Sequence, residues 1–157
     1  MNKTLTFKKD FWSSVYKIED GEQVIARTER KSIWSYDTNV KIGETEFFFD
    51  VKGIFSNSVD IYQGEGNKIG DVNIGSWSGK CTINLQNEGV FFFEKIDLFS
   101  NEWKIYNGDG VLMQFDKGWF SSGGSIHIYQ ENDKCLAIGI FLFGLYQQKV
   151  AAVAAAS

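Results

Sequence analysis

A short internal repeat constrains this chain more than any other feature of its sequence. The segment Ile61-Tyr62-Gln63-Gly64-Glu65-Gly66 recurs 44 residues later as Ile105-Tyr106-Asn107-Gly108-Asp109-Gly110, and a fainter copy spans 15–26. Apolar residues alternate before each glycine-bearing turn, and glycine adopts the positive φ of a tight turn without steric cost. The repeat therefore predicts a series of antiparallel hairpins, and the alternative is that glycine-rich turns recur in any all-β chain.

Further strand candidates lie around the repeated hairpins. The triple-Phe runs at 47–49 and 91–93 cannot alternate apolar with polar residues. Such strands need apolar cover on both faces, or they carry one aromatic row on the outside. The other candidates are Thr4–Phe7, Ser32–Tyr36, Val40–Ile42, Glu46–Val51, Val90–Phe99 and Trp103–Tyr106.

The C-terminal part of the chain lacks the alternating pattern of the rest, and its residues Cys135 to Tyr146 carry no charge. Twelve residues are too few for a bilayer, which needs about twenty. Extending the span into the Ala-rich tail would place Lys149 within the membrane at a cost of roughly 2.5–3.5 kcal/mol. A helix that is apolar on all sides is buried, so we predict a core helix at about 135–148, capped by Asn132 or Asp133. A membrane tail and a strand running into a helix are the alternatives.

These patterns predict one mostly-β domain, residues 1–157, that closes around a buried C-terminal helix. The net charge is −4 and the pI is about 5.0, so we expect no nucleic-acid partner, because phosphate binding needs a basic face. Residues 1–31 nevertheless carry seven Lys and Arg against five acids. They predict either a solvated hairpin or a small basic face for an anionic lipid or a protein partner. The candidate residues of that face are Lys8, Lys9, Arg27, Arg30 and Lys31.

Few residues suggest catalysis or metal binding. The N-terminus lacks the apolar stretch of a secretory signal, so we expect a cytoplasmic protein with reduced thiols at Cys81 and Cys135. Both thiols have apolar neighbours, which favours core packing. His127 is the sole histidine and lies in an alternating, strand-like segment. We therefore predict no metal site, no catalytic residues and no cofactor.

Two tryptophans follow the repeated hairpins. Trp77 and Trp119 each lie beside a Ser/Gly turn. Packing at the end of the sheet explains them, and the functional alternative is an aromatic rim that grips a ligand or an interface.

The two Ile-Tyr-x-Gly-x-Gly hairpins and the terminal Leu136-Ala137-Ile138-Gly139-Ile140-Phe141-Leu142-Phe143 together resemble the tubby C-terminal-like superfamily. That group includes tubby proteins, phospholipid scramblases and LURP-one-related proteins. The resemblance covers nearly the whole chain as a pattern, and it implies a closed antiparallel β-barrel with a helix threaded through it. It also implies binding of a ligand or a membrane surface. The basic residues by which some members bind phosphoinositides have no residue-by-residue match here, and the chain is acidic overall.

The sequence thus favours a non-catalytic binding module, for a lipid, a membrane surface or a protein partner. One alternative is a hydrolase or transferase whose site is assembled from distant residues, because such a site leaves no local motif. Another is a structural or oligomeric module, which a large flat aromatic face would favour.

Overall fold

The computed structural model describes residues 2–9, 15–32, 35–52, 57–75, 80–97, 101–117 and 123–156. These residues form twelve strands followed by one helix. They are β1 (Lys3–Lys9), β2 (Tyr16–Asp20), β3 (Gln23–Ser32), β4 (Ser35–Ile42), β5 (Thr45–Val51), β6 (Ser58–Gln63), β7 (Lys68–Ile74), β8 (Cys81–Leu85), β9 (Gly89–Lys95), β10 (Glu102–Asn107), β11 (Gly110–Lys117), β12 (Gly123–Ile128) and α1 (Asp133–Ala156).

The strands form a closed antiparallel barrel, which confirms the predicted fold class. Each strand pairs with its neighbours in the chain, and β1 pairs with β12 to close the sheet. Closure gives each of the twelve described strands a hydrogen-bonded neighbour on both sides, so the barrel has no edge strand among them.

The pleat of the strands separates an apolar interior from a mixed exterior. In β5, Phe47 and Phe49 are buried while Phe48 lies between them on the outer face. The triple-Phe run of β9 follows the same pattern. One aromatic row therefore lies outside the barrel, which is the second of the two arrangements that the sequence allowed.

The repeated sequence segments form antiparallel hairpins of the same geometry. The turn of the first full copy has Gly64 and Gly66 at φ angles of 70° and 72°, where a side chain would be strained. One strand of each hairpin also contains a β-bulge, which increases the local twist. The extra residues are Ile25, Ile69 and Leu112, so in all three copies the bulge lies in the second strand, just after the turn.

Helix α1 lies inside the barrel, because its side chains pack against strands on different sides. Phe143 contacts Phe7 of β1 with ring centroids 5.0 Å apart. Phe141 stacks on Phe49 of β5 at 4.4 Å, and Tyr146 stacks on Trp103 of β10 at 4.5 Å. Helix and strands share one apolar core, as the uncharged run predicted.

The helix begins earlier and ends later than the predicted range of about 135–148. Asn132 caps it, because its side-chain oxygen accepts a hydrogen bond from the Cys135 N–H at 3.1 Å. Within the barrel, Gly139 faces Phe115, whose ring would overlap any Cβ atom at that position. Among the described residues, no helix is both long and apolar enough to cross a membrane.

Candidate functional site

Four cations form a continuous row across the outside of β1, β2, β3 and β4. Lys8 lies opposite Lys17, Lys17 lies opposite Arg27, and Arg27 lies opposite Lys41. Directly opposite side chains have Cβ atoms about 4.5–5.5 Å apart. Three interstrand spacings of about 4.8 Å make the row about 14 Å long. We call these four residues the basic row.

The strand pattern directs all four side chains outward. Each one follows or precedes a buried residue of its own strand, such as Phe7 beside Lys8 and Ile18 beside Lys17. Because successive side chains of a strand point to opposite faces, the cations must leave the barrel on the same side. The row therefore faces solvent.

The two ends of the basic row have acidic neighbours, since Glu19 lies beside Lys8 and Glu46 lies opposite Lys41, whereas the residues opposite Lys17 and Arg27 are cations. Lys8 forms an ion pair with Glu19 at 3.4 Å, with the Lys8 side chain 68% exposed. Among the described residues, Lys17, Arg27 and Lys41 form no ion pair. Like charges directly opposite one another destabilise a sheet, so this arrangement costs stability that a bound anion would offset.

The structure brings together two of the five predicted basic residues. Lys8 and Arg27 belong to the basic row, whereas Arg30 lies toward the barrel interior. The guanidinium of Arg30 lies 4.7 Å from the Tyr36 ring centroid, beside a small cavity that α1 also lines.

Sequence reasoning did not select Lys17 and Lys41 as site residues. Both lie in alternating segments, Tyr16–Ile18 and Val40–Ile42, and that alternation signals an outward side chain. The missing information was the register of three strand pairs, which alone places these residues beside Lys8 and Arg27.

Other predicted site residues fall outside what the structure describes. The backbone of Lys9 and Lys31 belongs to β1 and β3, but their side chains are not among the described ones. Trp77 and Trp119 lie wholly outside the described residues, so the aromatic rim stays a prediction.

The two thiols and the imidazole, which are the side chains most able to act in catalysis, lie on three different elements: Cys81 on β8, Cys135 on α1 and His127 on β12. Cys81 and Cys135 are buried, and burial, followed by the charge of Glu88 and opposed by Lys134, raises the pKa of the Cys135 thiol to about 12. That thiol is protonated at neutral pH and is a weak nucleophile. His127 lies on β12, with its Nδ1 atom 3.2 Å from the Thr4 hydroxyl. No three His, Cys, Asp or Glu side chains in the described part of the chain are placed to hold a metal ion.

No protein-family model matches the chain, and a comparison with curated proteins finds no significant match.

Proposed function

We propose that this barrel is a non-catalytic binding module whose basic row docks onto an anionic membrane surface. The observation that carries the proposal is the direct cross-strand alignment of Lys8, Lys17, Arg27 and Lys41. Sheets normally avoid such an alignment because like charges repel. A layer of anionic headgroups would stabilise it.

The shape of the site suits a surface better than a small enclosed ligand. The row lies on the convex outer wall of the barrel, and Lys8, Arg27 and Lys41 are exposed. Each Lys or Arg close to an anionic membrane contributes about 1 kcal/mol, so four give millimolar affinity at best. With a net charge of −4 on the chain, the attraction requires the basic row to face the membrane.

We also propose that the chain belongs among the tubby-like proteins and acts in the cytoplasm. A barrel of repeated hairpins around a C-terminal helix is the fold that the resemblance implies. The cytoplasmic leaflet carries the anionic lipids that give a membrane its negative surface potential, which suits the basic row.

Vesicle sedimentation tests the proposal. The protein is mixed with phosphatidylcholine vesicles that contain or lack phosphatidylserine, at low and at high salt. We expect pelleting with the anionic vesicles, weakened by salt because exposed charges are screened over about 8–10 Å near physiological ionic strength.

A pair of double variants shows whether the basic row is responsible. Lys17→Gln with Arg27→Gln should remove about 2 kcal/mol of attraction, a loss of roughly thirtyfold. Lys104→Gln with Lys117→Gln removes the same charge from β10 and β11 and should change little. Equal pelleting with both kinds of vesicle, or equal losses in both double variants, would reject the basic row as a membrane site.

A further inference from the structure

The turn between β10 and β11 contains the only asparagine in the sequence that is followed by glycine, at Asn107 and Gly108. In such a pair the backbone nitrogen of the glycine attacks the side-chain carbonyl carbon of the asparagine. Glycine favours this attack because it has no Cβ atom to shield the nitrogen. Whether a folded chain reacts depends on how its turn holds the two groups.

The side chain of Asn107 is folded back over the turn. Its Oδ1 atom accepts a hydrogen bond from the Asp109 N–H at 2.9 Å, which is the arrangement of an Asx turn. The ring that this bond closes contains both the Cγ atom of Asn107 and the nitrogen of Gly108. The bond therefore restrains the two reacting atoms relative to one another, and restraint of this kind lowers the entropic part of a reaction barrier.

The same hydrogen bond activates the side-chain carbonyl group of Asn107. Attack at Cγ places negative charge on Oδ1, and a donor already aimed at that oxygen stabilises the charge as it develops. The turn supplies this donor, the Asp109 N–H, without any rearrangement. Its role resembles that of an oxyanion-binding group in an acyl transfer.

The attacking group and the leaving group form no hydrogen bonds that would have to break. Within the described part of the chain, the Gly108 N–H has no acceptor and the side-chain nitrogen of Asn107 has none either. A Cβ atom at Gly108 would meet nothing within 4 Å. The turn is therefore open to water, which the later hydrolysis requires.

The matching position in the first full copy of the repeat is built differently. Gln63 precedes Gly64 there, and a glutamine has to close a larger ring. The Gly64 N–H is also occupied, because it donates a hydrogen bond to the Glu46 carbonyl at 2.9 Å. The chain thus contains its own unreactive counterpart of the Asn107 turn.

The fainter copy of the repeat shows that one product of the reaction fits the hairpin. Asp20 precedes Gly21 and pairs with Gln23 across its turn, as Asn107 pairs with Gly110. An aspartate in place of Asn107 is therefore compatible with the turn. An isoaspartate is not, because it adds a methylene group to the backbone between the paired strands.

We propose that Asn107 is a site of self-catalysed deamidation, by which the chain converts a neutral residue of this turn into an acidic one. The Gly108 nitrogen bonds to Cγ of Asn107, and its proton leaves with the side-chain nitrogen as ammonia. Water then adds to either carbonyl of the resulting succinimide and opens the ring to aspartate or isoaspartate. The reaction needs no oxidant, reductant or enzyme, and the inference is independent of the proposed membrane function.

Mass spectrometry of the ageing protein tests the proposal. The folded chain is incubated in water enriched in heavy oxygen and digested with trypsin, which releases residues 105–117 as one peptide whose only asparagine is Asn107. We expect this peptide to exchange a side-chain NH₂ for a labelled OH and to separate into aspartate and isoaspartate forms. Fragmentation of peptide 53–68 should show Gln63 intact.

The rate should depend on pH and on the residue after Asn107. Conversion should be faster at alkaline than at neutral pH, because the Gly108 nitrogen attacks after losing its proton. Gly108→Ala fits the turn, since its Cβ would meet nothing within 4 Å, and it should slow the conversion severalfold by shielding the nitrogen. Asn107→Gln should stay unmodified over the same period.

The variant Asn107→Asp provides the product as a standard. It should unfold in urea at the same midpoint as the parent, as the Asp20 turn indicates. Aged protein that contains isoaspartate should unfold at a lower urea concentration than this variant, because the pairing with Gly110 is lost.

Comparison with the unfolded chain shows whether the turn promotes the reaction. Urea removes the Asx hydrogen bond, so Asn107 should convert more slowly in urea than in the folded protein at the same pH. Faster conversion in urea than in the folded protein, or equal conversion of Gly108→Ala and the parent, would overturn the proposal.

Discussion

Two corners of the barrel have the same backbone geometry but differ in surface charge. One is formed by β5, β6 and β7, and the other by β9, β10 and β11. Both carry an outer Phe–Tyr pair and a bulge just after the turn. The rings of the first corner, Phe48 and Tyr62, line a solvent-open groove, and in the second corner Lys80 and Lys104 lie over the rings of Phe92 and Tyr106. The repeat thus preserves the residues that shape the hairpin, while the charges on the outer face diverge: Lys104 of the second corner has Asp60 as its counterpart in the first.

Truncation of a buried phenylalanine should lower the unfolding free energy by a similar amount in either corner. This is the largest effect that we expect. Phe49 and Phe93 are both fully buried and occupy matching positions. Phe49→Ala and Phe93→Ala should each cost about 3–5 kcal/mol of unfolding free energy, because each leaves a cavity in a close-packed core. Urea denaturation measures both, and a difference of more than about 2 kcal/mol would show that the two interiors are not equivalent.

A glycine in β7 distinguishes the two corners, although the expected loss of unfolding free energy is smaller. Gly70 lies opposite Ile61, where the second corner has Met113 opposite Ile105. A Cβ at Gly70 would overlap the backbone carbonyl of Asn84 in β8. We expect Gly70→Ala to cost about 1–3 kcal/mol through overpacking, as measured by urea denaturation.

The matched change at the other corner is Met113→Ala. It should destabilise by loss of volume instead, since Met113 is fully buried. A Gly70→Ala protein as stable as the parent would mean that β7 and β8 separate more easily than their pairing indicates.

The smallest predicted effect concerns the tyrosine hydroxyls. Tyr106 donates a hydrogen bond to Glu94 at 2.6 Å, whereas Tyr62 makes no side-chain hydrogen bond to a described residue. Tyr106→Phe should cost about 1 kcal/mol at neutral pH, and Tyr62→Phe less than about 0.5 kcal/mol. Equal costs would remove the distinction between the corners at this position.

The pH dependence of the same variant follows from the environment of the phenol. Partial burial and the bond to Glu94 raise the pKa of Tyr106 above its ordinary value, with Lys80 opposing. A raised pKa in the folded state means that stability is present below the ordinary pKa of about 10 and is lost as the pH rises through the folded value. The difference between the parent and Tyr106→Phe should therefore shrink above about pH 10, as denaturation curves at neutral and alkaline pH would show.

Much of the fold was predictable because it depends on local patterns. The glycine turns, the apolar alternation and the uncharged C-terminal run each carry their own signal. The segment Ser32–Tyr36 shows the limit. It was predicted as one strand, but Ser32 ends β3 and pairs with Ser35 at the start of β4. The segment contains no Gly, Pro, Asn or Asp to mark the reversal.

The candidate site was less predictable, because it depends on register. The excess of Lys and Arg near the N-terminus identified Lys8 and Arg27. They become part of a row only because strand pairing places Lys17 between them and Lys41 beside Arg27. A shift of one residue in any pair would turn these side chains to the other face. No local feature of the sequence fixes that register across four strands.

The order of elements along the chain has a consequence for how the protein is made. During synthesis all twelve strands emerge before α1, which supplies the apolar filling of the barrel. Closure also joins distant segments, since Thr4 and His127 meet across 123 residues. Contacts so far apart fold slowly and leave apolar strands exposed on the ribosome. Folding of the barrel is therefore expected to complete only after α1 has emerged from the ribosome, with the sheet wrapping around the helix.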